Sequence, residues 1–163
     1  MLHLIIERLI PRRIHRALMP IAHRIRHRWR KWRGTPIAGV SVVLTNQAGE
    51  ILLLRHSYGP PVWALPGGGL KRGEDPAKCA MREVYEELGV KLAALEPFSA
   101  LKEELSGSPH TAHLFTALCD VQPVPDGREV VEACFFPAHA LPDQLGDTTR
   151  RRIAAWRERL KTN

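Results

Sequence analysis

Residues 68–90 read GGLKRGEDPAKCAMREVYEELGV, and the rest of the chain is interpreted outward from this stretch. Asp75-Pro76 predicts a helix start, because an aspartate caps free backbone amides and proline is tolerated in the first turn. Gly89 predicts the end, since glycine most cheaply adopts the left-handed conformation just past a helix. A helix is therefore expected over residues 76–88. At about 100° per residue, Ala77, Met81, Val84 and Leu88 fall on one side while Glu83, Glu86 and Glu87 gather on the other. The expectation is a core face opposite a carboxylate patch.

Like charges three and four positions apart on a helix repel by roughly a few tenths of a kcal/mol per pair. The cost rises where water is excluded, so such a patch favours a bound cation. Carboxylate oxygens are hard ligands, which points to magnesium or manganese rather than zinc. By itself the charge run reads equally well as a solvated acidic face. The preceding Leu65-Pro66-Gly67-Gly68-Gly69 separates the two readings, because three glycines just before the helix let backbone approach a ligand closely.

Gly68, Glu74, Arg82-Glu83-Val84, Glu86-Glu87 and Gly89-Val90 are the fixed points of the stretch. Their spacing resembles the signature box of the Nudix hydrolases, with every defining position filled, a far more specific match than a lone glycine-rich loop. The resemblance implies an α/β/α sandwich around a mixed sheet for residues 35–163. It also implies hydrolysis of a nucleoside diphosphate linked to another moiety, by water attack on phosphorus. Glu83, Glu86, Glu87 and the carbonyl of Gly67 would ligate the metal, and Arg82 would orient the glutamates with Glu74 behind it. Such a metal would bridge diphosphate oxygens and lower the pKa of a bound water. Gly68, Gly69, Lys71 and Arg55 are candidates for phosphate contact, with a solvated surface cation as the plainer reading of the last two.

Nudix enzymes take their general base either from the box or from a downstream loop. Here Asp126-Gly127-Arg128-Glu129 is a charged turn leading into Val130 to Phe136. Glu129 is the first choice for the base and Glu132 the second. His110 and His113, after Ser106-Gly107-Ser108, are candidate substrate contacts or structural histidines. Markers of the ADP-ribose, diadenosine-polyphosphate and NADH hydrolases are missing downstream of the box, and Trp63 to Gly68 differs from the Pro-Gln-Gly of RNA pyrophosphohydrolases.

A chain of 163 residues has room for one core and a modest appendage. Residues 1–34 hold ten Lys/Arg and one acid, Glu7, a net of +9 that leaves −2 for the remainder. Ile21, Ile25, Trp29 and Trp32 repeat at helical spacing there, so a basic amphipathic arm is expected. It would pack its apolar stripe on the body or on a second copy in a homodimer; an anionic membrane surface is the main rival. Specific nucleic-acid binding is not expected, because charge without a recognition motif gives only salt-sensitive association. Cys79, Cys119 and Cys134 lack paired-ligand spacing and read as reduced packing residues of a cytoplasmic protein.

Residues 37–45 and 50–55 predict a hairpin turning at Asn46 to Gly49. Further strands are expected at about 92–102, 111–121 and 129–136. Asp147-Thr148 predicts a cap for a last helix with Ile153, Trp156 and Leu160 on one face. Two functions fit: a magnesium-dependent pyrophosphohydrolase acting on a small nucleotide substrate, or a nucleotide-binding scaffold whose arm engages membrane or RNA. The intact acidic triad favours the first.

Overall fold

A computed structural model of the chain describes residues 37–105 and 107–162; the expected arm over residues 1–34 lies outside the described residues. In chain order the elements are β1 (Ile37–Thr45), β2 (Ile51–His56), α1 (Pro76–Leu88), β3 (Glu96–Leu105), β4 (Ser108–Leu118), β5 (Val130–Phe136) and α2 (Asp147–Thr162). The sheet order is β3-β4-β1-β2-β5. β1 and β4 are parallel and the other neighbours antiparallel, so the sheet is mixed as expected.

Side chains alternate across a strand, and here each face has its own helix. Val42, Leu44, Leu52 and Leu54 pack with Ala80, Val84 and Leu88 of α1. Val43, Ile51 and Leu53 pack with Ile153 and Trp156 of α2. The result is the α/β/α sandwich. Among the described residues, no helix is long and apolar enough to cross a membrane.

Helix α1 has the expected bounds and caps. Asp75 accepts hydrogen bonds from the amides of Ala77 and Lys78, and Gly89 closes the helix at φ 68°. Its buried face differs from expectation. Cys79, Ala80, Val84, Glu87 and Leu88 are buried, whereas Met81 is 40% exposed. The helix is rolled so that the line through Ala80, Val84 and Glu87 meets the sheet, which brings one glutamate inside.

The hairpin also differs. β1 and β2 pair only at Thr45 and Ile51. Beyond that point they splay, and residues 64–70 enter the gap. Ala64 and Leu54 exchange both backbone hydrogen bonds at 2.9 Å. Further on, Val40 donates to the Gly68 carbonyl, Val42 to that of Pro66, and Leu70 to that of Ala38. The glycine loop is thus stitched into the sheet as an added short strand.

Strand β3 begins at Glu96 rather than near Leu92, because Leu92 and Leu95 are used as packing against the α1 side of the core. β4 ends at Leu118, and Val121 beyond it is 55% exposed. In α2, Ile153 and Trp156 share the buried face, but Leu160 is 55% exposed. Asp147 lies in the first turn of α2, with Gly146 accepting the first helical bond from Arg150.

Candidate active site

Arg82 organises the acidic side of α1. Its Nε and Nη2 donate to the two oxygens of Glu74 at 2.8 and 2.9 Å, a bidentate pair. Its Nη1 donates to Glu83 at 2.7 Å and to Glu86 at 3.0 Å. One guanidinium thus fixes three carboxylates, which a lysine ammonium lacks the planar fork to do. The Arg82 bonds hold the Glu74 carboxyl down at about 2, against a smaller opposing effect of burial, and the Lys71 amide assists. A depressed carboxyl stabilises the fold above its ordinary value of 4.5, and that contribution is lost as pH falls through about 2.

Glu87 is the inward member, 7% exposed, and its Oε2 accepts the Gly67 amide at 3.0 Å. Burial pushes its carboxyl well up; the Gly67 amide opposes this, while Glu83, Glu129 and Asp126 add to it. Burial also raises Glu83, opposed by Arg82 and reinforced by Glu86 and Glu129. Both glutamates therefore sit in a place that disfavours negative charge and that a cation would relieve.

Gly67 and Gly68 leave no room for side chains. A Cβ on Gly68 would lie 2.4 Å from Glu83 Cδ, and one on Gly67 would lie 2.2 Å from the Val40 carbonyl oxygen. The carbonyls of Pro66 and Gly68 are taken by β1 amides. That of Gly67, between them, is the alternate carbonyl of the run and is not spent on this pairing.

Of the expected site residues, Gly67, Gly68, Arg82, Glu83, Glu86, Glu87 and Glu129 come together. Glu129 lies close enough to act electrostatically on Glu83 and Glu87, and Tyr58 Oη donates to its Oε2 at 3.2 Å. Glu132 does not join them; it pairs with Arg55 at 3.3 Å on the surface. Arg55 also lies over the Trp63 ring, 5.7 Å from its centroid, on the α2 side of the sheet. Lys71 and Gly69 are exposed at the rim.

His110 is buried rather than open to substrate, with Nδ1 3.7 Å from Glu103. Arg152 of α2 binds Glu103 at 2.7 Å and Ser41 Oγ at 2.6 Å, completing a polar group on the α2 face. Sequence reading missed Glu103, Arg152 and Tyr58, whose partners are 49 and 71 residues away. No short-range pattern marks them.

Cys79 is fully buried beneath the loop, its Sγ 3.6 Å from the Gly69 carbonyl. Burial, reinforced by Glu74, pushes its thiol up to about 12. Folded protein at pH 8 is therefore expected to leave Cys79 unmodified by iodoacetamide, with labelling appearing only in denaturant; peptide mass spectrometry reads this directly.

Glu83 and Glu86 lean on Arg82 and Glu87 on the loop amide, and among the described residues no three acidic, histidine or cysteine groups already stand as a closed metal cage. The donor set nevertheless fits a hard divalent cation: three carboxylates, two of them raised by burial and mutual repulsion, beside a backbone carbonyl.

Among curated proteins, an RNA pyrophosphohydrolase of Rhodospirillum rubrum is 39% identical over 42% of this chain and 46% of its own length. Diphosphoinositol polyphosphate phosphohydrolase 2 of Mus musculus is 49% identical over 29% of this chain and 26% of its own. The chain thus matches less than half the length of either relative. The crystal structure of a MutT protein from Methanosarcina mazei Go1 superposes with a TM-score of 0.69 at 23% identity, over 77% of this chain and 96% of that one. The model of the NUDIX domain matches residues 35–157, which takes in the sheet, both helices apart from the last five residues of α2, and the whole acidic site, and so the chain belongs to the Nudix family of hydrolases.

Proposed function

We propose that the chain is a divalent-metal-dependent pyrophosphohydrolase that cleaves the diphosphate linkage of a nucleoside diphosphate joined to another moiety. The observation that carries this reading is the burial of Glu83 and Glu87 side by side, next to Glu86 and Glu129, against a loop without side chains. Glu83, Glu86, Glu87 and the Gly67 carbonyl would hold magnesium or manganese. When bound, the metal offsets charge on the diphosphate oxygens and lowers the pKa of a bound water. Arg82, anchored at Glu74, steadies Glu83 and Glu86 as they turn from its Nη1. Glu129 takes the proton from the attacking water, while exposed Gly69 and Lys71 meet phosphate at the rim. The relatives' names point to phosphohydrolases acting on different carriers, which supports the reaction class and leaves the carrier open.

The decisive test offers nucleoside triphosphates, nucleotide sugars, dinucleotides, capped RNA and a diphosphoinositol polyphosphate, with and without magnesium. Magnesium-dependent cleavage of at least one is expected. An inert protein that still binds nucleotide would favour the alternative, a Nudix scaffold serving as an interaction protein whose arm engages membrane or RNA.

Glu129→Gln is expected to lower kcat by about a hundredfold, within the usual reach of general acid–base catalysis. Glu132→Gln, which loses only an exposed pair with Arg55, should change it by less than about twofold. Equal and mild effects would shift the base to Glu83 or Glu86.

A further inference from the structure

One side chain builds the turn that carries Glu129. Asp126 Oδ1 accepts from the amides of Arg128 at 3.0 Å, Glu129 at 3.1 Å and Val130 at 2.8 Å. Its Oδ2 also accepts from Glu129, at 3.1 Å. The Asp126 amide donates to the Glu87 carbonyl at 3.1 Å, and the Val124 amide to that of Leu88 at 2.9 Å. These are last-turn carbonyls of α1, which a helix leaves without internal partners. On the other side, Ser57 donates its amide to the Glu129 carbonyl at 2.8 Å and its hydroxyl to that of Arg128 at 2.7 Å.

The helix bearing the acidic triad and the turn bearing Glu129 are thus joined at Asp126. Its backbone holds one and its carboxylate the other. We propose that Asp126 is the positioning residue that sets Glu129 against the carboxylates of α1. The proposal rests on the reading of Glu129 as base. Its logic is geometric: a misplacement of about 1 Å at a reacting group costs orders of magnitude in rate. Without Asp126 three successive amides lose their acceptor, and the glycine at position 127 gives the turn freedom to move. Asp126 acts through the turn; its oxygens are occupied by backbone amides.

The test compares Asp126→Ala, Asp126→Asn, Asp126→Ser, Glu129→Gln and the Asp126→Ala/Glu129→Gln double variant in the full chain, on the panel substrate turned over fastest and at saturating magnesium. Asp126→Ala is expected to lower kcat at least about tenfold with KM within about twofold. Asparagine keeps Oδ1 as an acceptor and should recover most of the rate, with serine between. The double variant should be no slower than Glu129→Gln alone. Amide exchange at Glu129 and Val130 should quicken in Asp126→Ala while amides of β1 and β4 keep their protection. Three results overturn the proposal: wild-type kcat in Asp126→Ala, equal losses in the asparagine and alanine variants, or multiplying losses in the double variant. If Asp126→Ala does not fold, Asp126→Asn still decides: it keeps the Oδ1 acceptor, so a kcat as low as that of Glu129→Gln contradicts the proposal. Wild-type kcat in Glu129→Gln would remove Glu129 as base, and this proposal with it, while panel hydrolysis keeps the wider functional reading intact.

Discussion

Glu87→Gln is expected to lower magnesium-dependent turnover by at least about a hundredfold and, in the same protein without metal, to raise thermal stability. The two effects have one cause. Glu87 is an inward carboxylate facing Glu83, Glu129 and Asp126, and burial already drives its carboxyl well above the ordinary range. A carboxyl raised on folding stabilises the protein in its protonated form, and that stabilisation is lost as pH rises through the folded value. Glutamine has the same shape, retains an oxygen for the Gly67 amide and brings no charge. Each kcal/mol relieved raises the melting temperature by roughly 2–4 °C in a chain of this size. Glu86→Gln should lose as much turnover without the stability gain, because Glu86 is 42% exposed and its charge is already solvated. Melting curves in EDTA at pH 7.5, read beside kcat in magnesium, separate the effects. Near-wild-type turnover in both variants would end the assignment of these residues as metal ligands.

Alanine at the two neighbouring loop glycines should fail in different ways. At Gly67 the new Cβ would meet backbone, 2.2 Å from the Val40 carbonyl oxygen and 2.9 Å from Ser41 Cα, at a φ of 148°. Neither obstacle can swing aside, so Gly67→Ala is expected to cost about 2–4 kcal/mol, seen as a lower urea midpoint. At Gly68 the obstacle is the end of Glu83, its carbon at 2.4 Å and both oxygens at 2.5 Å. That side chain can move, so the fold should survive while activity drops at least about tenfold and more magnesium is needed for half-maximal rate. If the variants behaved alike, the distinction between a backbone wall and a ligand wall would be wrong.

What sequence reveals here follows the range of the forces involved. Helix α1 was legible to its end residues, because Asp75, Pro76 and Gly89 act on their own neighbours. The triad and Arg82 were legible for the same reason, since they share one helix. The roll of α1 was not, because exposing Met81 and burying Glu87 depends on where the sheet and the loop lie. The splayed hairpin was also hidden: residues 64–70 contain Pro66 and three glycines, a composition that favours turns over strands, and they pair only because β1 and β2 leave them a gap. Glu103 with Arg152, and Tyr58 with Glu129, are joined by the fold and carry no local signature.

The stitching of residues 64–70 into β1 and β2 also bears on how the site responds to heat. A loop bonded to Ala38, Val40, Val42 and Leu54 shares the cooperative unit of the sheet centre and has no private route to melting. Warming should therefore leave the arrangement around Gly67 intact until the whole domain gives way. Activity lost on heating and ellipticity lost on heating should fall on one curve, and both should return together on cooling.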